Sequence, residues 1–507
     1  MKVKPFSFNR FVVTLRRAAC AFAILPGLAL GPRVASAVVP AAVAIPGKPD
    51  FFMGTYDIGA QGYALKEFFV SGTAVSYTLD NATNANDEPC ARPAKNAFYK
   101  TRIVVLVPTD PAKFNGTVVV EWLNVSGGND VPVDWIILHR ELIRQGYAYI
   151  GVSAQKAGID GGVSLGGSAA EPLKKADPAR YGSLVHPGDA YSYDIFSNVG
   201  RLLRSHPKTI LGTLKPKHIL AVGESQSAFY LTTYVNDVDP LVQVYDGFLI
   251  HSRAGNAAAL DGESIFQMTP AQMNEVVQLR SNLRVPVLQF ITETDLTHLG
   301  NSIGYYAARQ PDNVHLRTWE IAGAAHGDSY VLGGVGMIDT AQTPVSQLAA
   351  AWEPMSEFRG MKLPVPFNNG PQHHYVAEAA LAQLNEWVAT GNAPPESTHI
   401  TLQPSPHPSL VLDTNGNALG GVRTPWVDVP TSRLSGVGSL FGSTAPYDKA
   451  MLDQLYPGGR EEYLRKFKVS LDSAIQSGFI LSEDRQEILE LASLTYPQST
   501  PPHNQTP

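Results

Sequence analysis

The chain has 507 residues, of which 44% are hydrophobic and 17% charged, and its formal net charge is −6. This is the composition of an ordinary soluble globular protein, long enough for one large domain with additions or for two domains. The charges indicate neither a nucleic-acid partner, which would need a basic patch, nor a cationic partner, for which the acidity is too mild.

The first 37 residues have the layout of a secretory signal peptide. Five basic residues precede an apolar run from Ala18 to Leu30, and the small residues Ala35 and Ala37 then suit a cleavage site. The apolar run is shorter than the ~20 residues that span a membrane, and Pro26 interrupts it, so we predict no stable membrane anchor. The mature protein is expected to be exported to the periplasm or the extracellular space, by either the general or the twin-arginine route.

The mature chain alternates predicted strands with predicted helices. Apolar, β-branched runs predict the strands, and amphipathic periodicity predicts the helices. The strands are expected at 66–79, 99–108, 116–125, 147–154, around Ile219, and at 241–252, 285–292 and 313–323, the helices at 133–146, 190–205 and after Ser225, and a polar loop at 80–96. This order predicts a mostly parallel central sheet with helices on both faces, as in an α/β-hydrolase fold, with the active site beyond the carboxyl ends of the strands.

The turn at 223–227, Gly-Glu-Ser-Gln-Ser, supplies the candidate nucleophile, Ser225. It joins a predicted strand to a predicted helix and matches the pattern G-x-S-x-G, except that the small residue Ser227 replaces the last glycine. Such a sharp turn holds its middle residue in a strained conformation and presents the side chain at the end of the sheet. The competing interpretation is a serine that only caps a helix.

The last two predicted strands end in residues suited to activate this serine. His326 follows the last strand, and Glu293 and Asp295 follow the strand before it, so the chain order is serine, carboxylate, histidine. The histidine would take the proton of the serine hydroxyl, and a buried carboxylate would fix the imidazole tautomer. We predict Asp295 as the acid because it lies slightly beyond the strand end, with Glu293 as the alternative.

Acyl transfer also needs hydrogen-bond donors for the developing oxyanion. One predicted donor is the backbone N–H of Gln226, directly after the nucleophile. The other is the backbone N–H of Asn124 or Val125, on the turn-rich loop that follows the third predicted strand. The alternative interpretation of that second segment is a loop that is merely flexible.

His251 and Arg253, at the end of the strand before residue 255, are possible substrate-binding residues. The alternative to substrate binding is a structural role at the capped end of the strand, with Arg253 in a salt bridge. The segment 255–283 lies where hydrolases insert a lid, and we predict a small mobile lid there. The alternative is that Met268 and Met273 of this segment belong to the core. The adjacent His373 and His374 do not predict a metal site, because the side chains of neighbouring residues point apart.

Six phrases of the sequence together resemble the large family of alpha/beta-hydrolase-domain proteins: EWLNVSGG, GESQSA, HSRAG, TETD, AGAAHGD and NNGPQHHYVAEAAL. The resemblance extends from about Phe51 to about Ile480. It implies a serine hydrolase that uses Ser225, His326 and one of the two carboxylates, and it implies no particular substrate.

The sequence thus predicts four segments and one activity. The segments are a signal peptide at 1–37, the hydrolase core with its lid at 38–330, a C-terminal helix and hairpin appendage packed on the core at 331–495, and a disordered tail at 496–507. The predicted activity is hydrolysis of a small-molecule carboxylic ester or lactone through an acyl-enzyme, with no cofactor, no metal and no nucleic acid. Amidase, peptidase or acyltransferase action with the same residues, and a non-catalytic binding protein on the same scaffold, are the alternatives.

Overall fold

The computed structural model describes residues 39–83, 89–358, 361–405 and 408–497. The predicted signal peptide at 1–37 and the tail beyond Pro497 lie outside the described residues. From Val39 onward the chain forms one compact unit. Within the described ranges, no helix is both long enough and apolar enough to cross a membrane.

A central sheet of nine strands forms the middle layer. The strands are β1 (Ala41–Ala44), β2 (Tyr63–Thr83), β3 (Pro89–Pro108), β4 (Thr117–Trp122), β5 (Ala148–Val152), β6 (His218–Glu224), β7 (Gly247–His251), β8 (Val287–Thr292) and β9 (Leu316–Ile321). Their order across the sheet is β1-β2-β3-β5-β4-β6-β7-β8-β9. The six strands β4 to β9 run parallel to one another. β1 to β3 extend the sheet beside β5 as antiparallel neighbours. The predicted mostly parallel sheet is confirmed.

The predicted loop at 80–96 is wrong for most of its length. β2 continues to Thr83 and β3 begins at Pro89, and the two strands pair along nearly their whole length, with Leu79 opposite Ala91. Residues 92–96 of this hairpin are exposed to solvent. Strand residues that face solvent need not be apolar. The polar sequence of this hairpin therefore resembles that of a loop.

Helices cover both faces of the sheet. The helices of seven residues or more are α1 (Val133–Arg144), α2 (Ser192–Ser205), α3 (Gln226–Thr233), α4 (Val345–Ala351), α5 (Gln372–Thr390), α6 (Lys449–Leu455), α7 (Gly459–Gln476) and α8 (Arg485–Thr495). Shorter α-helical segments occur at Lys156–Asp160, Leu173–Ala176, Pro178–Tyr181, Lys208–Leu211, Asp239–Val242, Pro270–Met273, Glu293–Thr297 and Pro425–Asp428. A π-helical turn, Tyr234–Val238, continues α3.

Two hydrophobic clusters lie on the two faces of the sheet because successive strand residues point to opposite sides. Val118 and Val120 of β4 belong to the cluster that includes α2 and α3. Val119, between them, belongs to the cluster that includes α1, α5, α7 and α8. Strands buried on both faces explain the continuous apolar runs in the sequence.

The C-terminal region contributes a helix to the core as well as surface additions. α5 shares one hydrophobic cluster with the strands and with α1, so it is part of the helical layer on that face. The same region also forms short hairpins, at Glu357–Phe358 with Met361–Lys362, at Leu402–Gln403 with Ser409–Leu410, and at Ser432–Ser435 with Ser443–Pro446. Tyr496, which was expected in the tail, packs against Tyr463 with ring centroids 4.9 Å apart.

Candidate active site

Ser225 lies in the sharp turn between β6 and α3. Its φ is 57°, a left-handed backbone conformation that costs energy for a residue with a side chain. The Ser225 N–H donates to the carbonyl of His251 at 2.9 Å, and the Ala228 N–H donates to the Ser225 carbonyl at 2.8 Å. These bonds to β7 and α3 hold the strained turn, as expected of a nucleophile at the end of a sheet.

Gly223 allows α3 to approach β6 closely. A Cβ built at Gly223 would lie 2.9 Å from Leu231 Cδ1 and 3.0 Å from Ser227 Cβ. The glycine before the nucleophile therefore makes room for Ser227, the residue that replaces the last glycine of the pattern.

His326 connects Ser225 to Asp295. Its Nε2 lies 2.7 Å from Ser225 Oγ, and its Nδ1 lies 2.6 Å from Asp295 Oδ1. Asp295 Oδ2 accepts hydrogen bonds from the N–H of Thr292 at 2.8 Å and from its hydroxyl at 2.7 Å. Asp295 is fully buried and His326 is 8% exposed. The three predicted residue types thus form one continuous line of hydrogen bonds.

The electrostatics of this line favour a charged imidazole. Burial alone would raise the pKa of Asp295, but His326 and the Thr292 donors hold it below its usual value. Burial works against a charged His326, yet the carboxylates of Asp295 and Glu224 together raise the pKa of His326 to about 9. The site is therefore built to stabilise the imidazolium that forms when histidine takes the serine proton.

The structure does not bring Glu293, the alternative acid, to the histidine. Its carboxylate accepts the N–H of Gly323 at 2.6 Å and the N–H of Gly436 at 2.8 Å. Burial raises the pKa of Glu293 to about 7. Glu293 therefore connects the loop that carries His326 to the C-terminal hairpin region, and the acid in contact with His326 is Asp295.

Of the three predicted oxyanion donors, the backbone N–H groups of Gln226 and Val125 remain candidates in the structure. The N–H of Gln226 is the first in α3 and has no acceptor within that helix. The N–H of Asn124 donates to the carbonyl of Val131 at 3.0 Å, so the prediction of Asn124 is wrong. The N–H of Val125 lies 3.3 Å from Gln226 Oε1, a long hydrogen bond that an oxyanion would have to replace.

Of the two roles left open for Arg253, the structure supports the structural one and contradicts substrate binding. Its side chain is fully buried and donates to the carbonyls of Ala254 at 2.9 Å, Gly255 at 3.4 Å and Val277. A guanidinium whose donors are occupied by backbone carbonyls has a structural role. It anchors the start of the segment 255–283, which carries two short helical turns, Ile265–Gln267 and Pro270–Met273.

His251 is also fully buried, so it offers no exposed group to a substrate. Its Nδ1 lies 2.8 Å from Asp134 Oδ1, and its Nε2 lies 2.8 Å from His373 Nε2. Burial lowers the pKa of His251 to about 3 and keeps the imidazole neutral. In the part of the chain that the structure describes, no three or more His, Cys, Asp or Glu side chains are grouped so as to hold a metal.

Residues 34–490 match the model of the family described as alpha/beta hydrolase domain. The chain belongs to this family. The mostly parallel central sheet with helices on both faces agrees with this match. No curated protein matches the sequence of this alpha/beta hydrolase.

Several solved structures are similar to parts of this alpha/beta hydrolase at low identity. A putative dienelactone hydrolase from Klebsiella pneumoniae subsp. pneumoniae is 12% identical, with 49% of this chain and 85% of that chain covered and a TM-score of 0.25. A fungal esterase from Rhizomucor miehei is 10% identical, with 63% and 86% covered and a TM-score of 0.30. Thermogutta terrifontis esterase 2 is 14% identical, with 50% and 85% covered and a TM-score of 0.24.

One residue of the hydrolase site, Glu224, was not predicted from the sequence. Its Oε1 lies 3.3 Å from His326 Nε2, and its Oε2 accepts from Asn124 Nδ2 at 3.2 Å. The signal was present in the sequence, because Glu224 is the residue directly before the nucleophile in the turn 223–227. The pattern G-x-S-x-G accepts any residue at that position, so the sequence alone assigns no role to Glu224.

Proposed function

We propose that this alpha/beta hydrolase is a serine esterase that cleaves carboxylic esters through an acyl-enzyme. The observation that carries the proposal is the hydrogen-bonded line from Ser225 Oγ through His326 to Asp295. It begins at a strained residue between a strand and a helix, the position that suits a nucleophile. Membership of the hydrolase family supports hydrolysis in general, and the ester specificity is our proposal.

In the first half of the reaction, His326 Nε2 takes the hydroxyl proton of Ser225, and Ser225 Oγ attacks the carbonyl carbon of the ester. The carbonyl oxygen becomes an oxyanion that accepts from the N–H groups of Gln226 and Val125. The tetrahedral intermediate then collapses, the bond to the alkoxy oxygen breaks, and the His326 imidazolium gives its proton to that oxygen, which leaves as the alcohol.

In the second half, His326 takes a proton from water, and the resulting hydroxide oxygen attacks the acyl carbon on Ser225. Collapse of this second intermediate breaks the bond to Ser225 Oγ, to which His326 returns the proton, and the carboxylic acid leaves. Asp295 holds the imidazole in the correct tautomer in both halves and stabilises its positive charge.

The test is hydrolysis of p-nitrophenyl esters from acetate to palmitate by the chain without its predicted signal peptide, residues 38–507. We expect Ser225→Ala to lower kcat by about 10⁴-fold or more, since the nucleophile is lost. Ser227→Ala is the matched control, because this serine lies two residues away and its buried Oγ makes no hydrogen bond within the described residues. A fluorophosphonate should label the wild-type chain at Ser225 and leave Ser225→Ala unlabelled.

Two results would separate the parts of this proposal. If Ser225→Ala retained wild-type turnover of the ester panel, the assignment of the nucleophile would be wrong. If the fluorophosphonate labelled Ser225 but no ester were hydrolysed, the nucleophile would stand and ester cleavage would fall in favour of amides, lactones or acyl transfer.

A further inference from the structure

The imidazole of His326 lies between two carboxylates, and the mechanism above uses only one of them. Asp295 contacts Nδ1 at 2.6 Å. On the other side of the ring, Nε2 lies 2.7 Å from Ser225 Oγ and 3.3 Å from Glu224 Oε1. Two oxygen atoms therefore compete for the single hydrogen that Nε2 carries when the ring is charged.

Glu224 is held in this position from several directions. It is the last residue of β6, it is 4% exposed, and Asn124 Nδ2 donates both to its carbonyl and to its Oε2 at 3.2 Å. A carboxylate that is so deeply buried needs a cationic partner or a hydrogen-bond donor, since burial strongly disfavours its charge. The only positive charge that the reaction itself creates beside it is the His326 imidazolium.

The other titratable groups that face this pair lie on four elements. They are Asp295 from the turn after β8, Asp134 from α1, His251 from β7 and His373 from α5. Burial keeps both histidines neutral by lowering their pKa values. Burial first, and the nearby carboxylates Asp134 and Asp295 next, raise the pKa of Glu224 to about 8, while His326 opposes that rise. The pKa values of Glu224 and His326 are thus both raised, and each group affects the protonation of the other.

We propose that Glu224 is a positioning residue that shares the Nε2 proton of the His326 imidazolium with Ser225 Oγ. The inference rests on the proposed function, because it concerns the same histidine acting as the base. A shared proton has two consequences. Glu224 stabilises the imidazolium in both tetrahedral intermediates, and it delays release of the proton by the resting enzyme until alkaline pH.

Glu224→Gln separates this electrostatic role from a structural one. Glutamine has nearly the same shape, and its side-chain oxygen still accepts the hydrogen bond from Asn124. The negative charge beside His326 is lost, and the atom that faces Nε2 becomes an amide nitrogen, which cannot accept the Nε2 hydrogen. Glu293→Gln is the matched control, because it also neutralises a fully buried carboxylate near the site, but one that does not contact His326.

The experiment has two readouts. The first is the pH titration of the ¹⁵N resonances of the His326 ring, assigned among the 13 histidines by their loss in His326→Ala. The second is the rate of inactivation by a fluorophosphonate as a function of pH, which needs no knowledge of the substrate. In Glu224→Gln we expect both transitions to move to lower pH by at least one unit, a tenfold change in proton affinity. The limiting inactivation rate above the transition should fall several-fold, and Glu293→Gln should keep the wild-type transitions.

The outcomes distinguish this inference from the proposed function. If the ¹⁵N titration is the same in Glu224→Gln and in the wild type, Glu224 does not share the proton, and the inference is overturned whatever the enzyme hydrolyses. If that titration shifts while Ser225 never reacts with the fluorophosphonate, the proton sharing stands and the serine hydrolase proposal falls. A shift of equal size in Glu293→Gln would also overturn the inference, because any buried charge nearby would then have the same effect.

Discussion

Glu293 and Asp295 are two residues apart in one short helical segment, yet their carboxylates have different partners. Asp295 is the third residue of Glu293–Thr297 and forms a capping box with Thr292, which fixes one of its oxygens and leaves the other for His326. Glu293, at the first position, points to the N–H groups of Gly323 and Gly436. The pattern Thr-x-x-Asp is visible in the sequence and favours Asp295. The contacts of Glu293 depend on Gly323, 30 residues away, and on Gly436, 143 residues away, and leave no such signal.

The two carboxylates should therefore respond differently to neutral isosteres. Asp295→Asn should lower kcat by about 10⁴-fold with little loss of stability, because the imidazole loses its correct tautomer. Glu293→Gln should keep most of the activity but lower the free energy of unfolding by about 1–3 kcal/mol, because an amide cannot accept from both glycine N–H groups. Ester hydrolysis and urea unfolding of each variant would measure both effects. Equal losses of kcat in the two variants would contradict the assignment of Asp295.

At the scale of elements, the approach of α3 to β6 depends on Gly223. Gly223→Ala places a methyl group 2.9 Å from Leu231 Cδ1 and 3.0 Å from Ser227 Cβ, so the Leu231 side chain or the helix must shift. We expect a loss of about 1–3 kcal/mol in unfolding free energy, typical of overpacking, together with reduced ester hydrolysis because Ser225 moves with the turn. Urea unfolding and turnover measurements would check both.

Gly162→Ala is the control for this prediction. A Cβ at Gly162 meets its nearest atom, Ala157 Cβ, at 3.8 Å, which is ordinary van der Waals contact. Its stability should stay within about 0.5 kcal/mol of the wild type, as for most surface substitutions. Wild-type stability in Gly223→Ala would refute the tight packing of β6 against α3.

Prediction from sequence succeeded where one local pattern decides the structure. The apolar strands, the turn at Ser225 and the order of Ser225, Asp295 and His326 all follow from short segments, and the structure brings these three side chains together. Prediction failed where distant contacts decide. Arg253 turns inward because the backbone carbonyl of Val277 accepts from it, and the polar segment 80–96 becomes strand because β2 and β3 pair.

At the scale of the whole molecule, a cluster of buried charges connects the C-terminal helices to the core. Arg140 and Arg144 of α1 form ion pairs with five carboxylates, namely Glu141, Asp339, Glu378, Asp484 and Glu487. Both of the last two lie in the C-terminal region. Asp484 directly precedes α8, and Glu487 lies in its first turn. When ionised, the five carboxylates outnumber the two guanidinium groups. The cluster then carries an excess of negative charge at buried and partly buried side chains.

This excess predicts that the protein loses stability as pH rises. Burial raises the pKa of Glu141 to about 7, and burial also raises the pKa values of Glu378 and Asp484, with the arginines opposing the rise. A carboxyl group with a raised pKa in the folded state stabilises the fold fully below its ordinary pKa. That stability is lost as pH rises towards the raised value, at up to about 1.4 kcal/mol per pH unit for each group.

The melting temperature should therefore fall between about pH 5 and pH 8, and Glu141→Gln should weaken that dependence. Glutamine resembles the protonated glutamate, so the variant should match the wild type near pH 5 and exceed its stability near pH 8. Glu386→Gln, on an exposed glutamate of α5, is the control and should keep the wild-type slope. Thermal unfolding followed by circular dichroism at each pH would measure the slopes. If Glu141→Gln had the wild-type slope, Glu141 would not titrate with folding, and this prediction would be wrong.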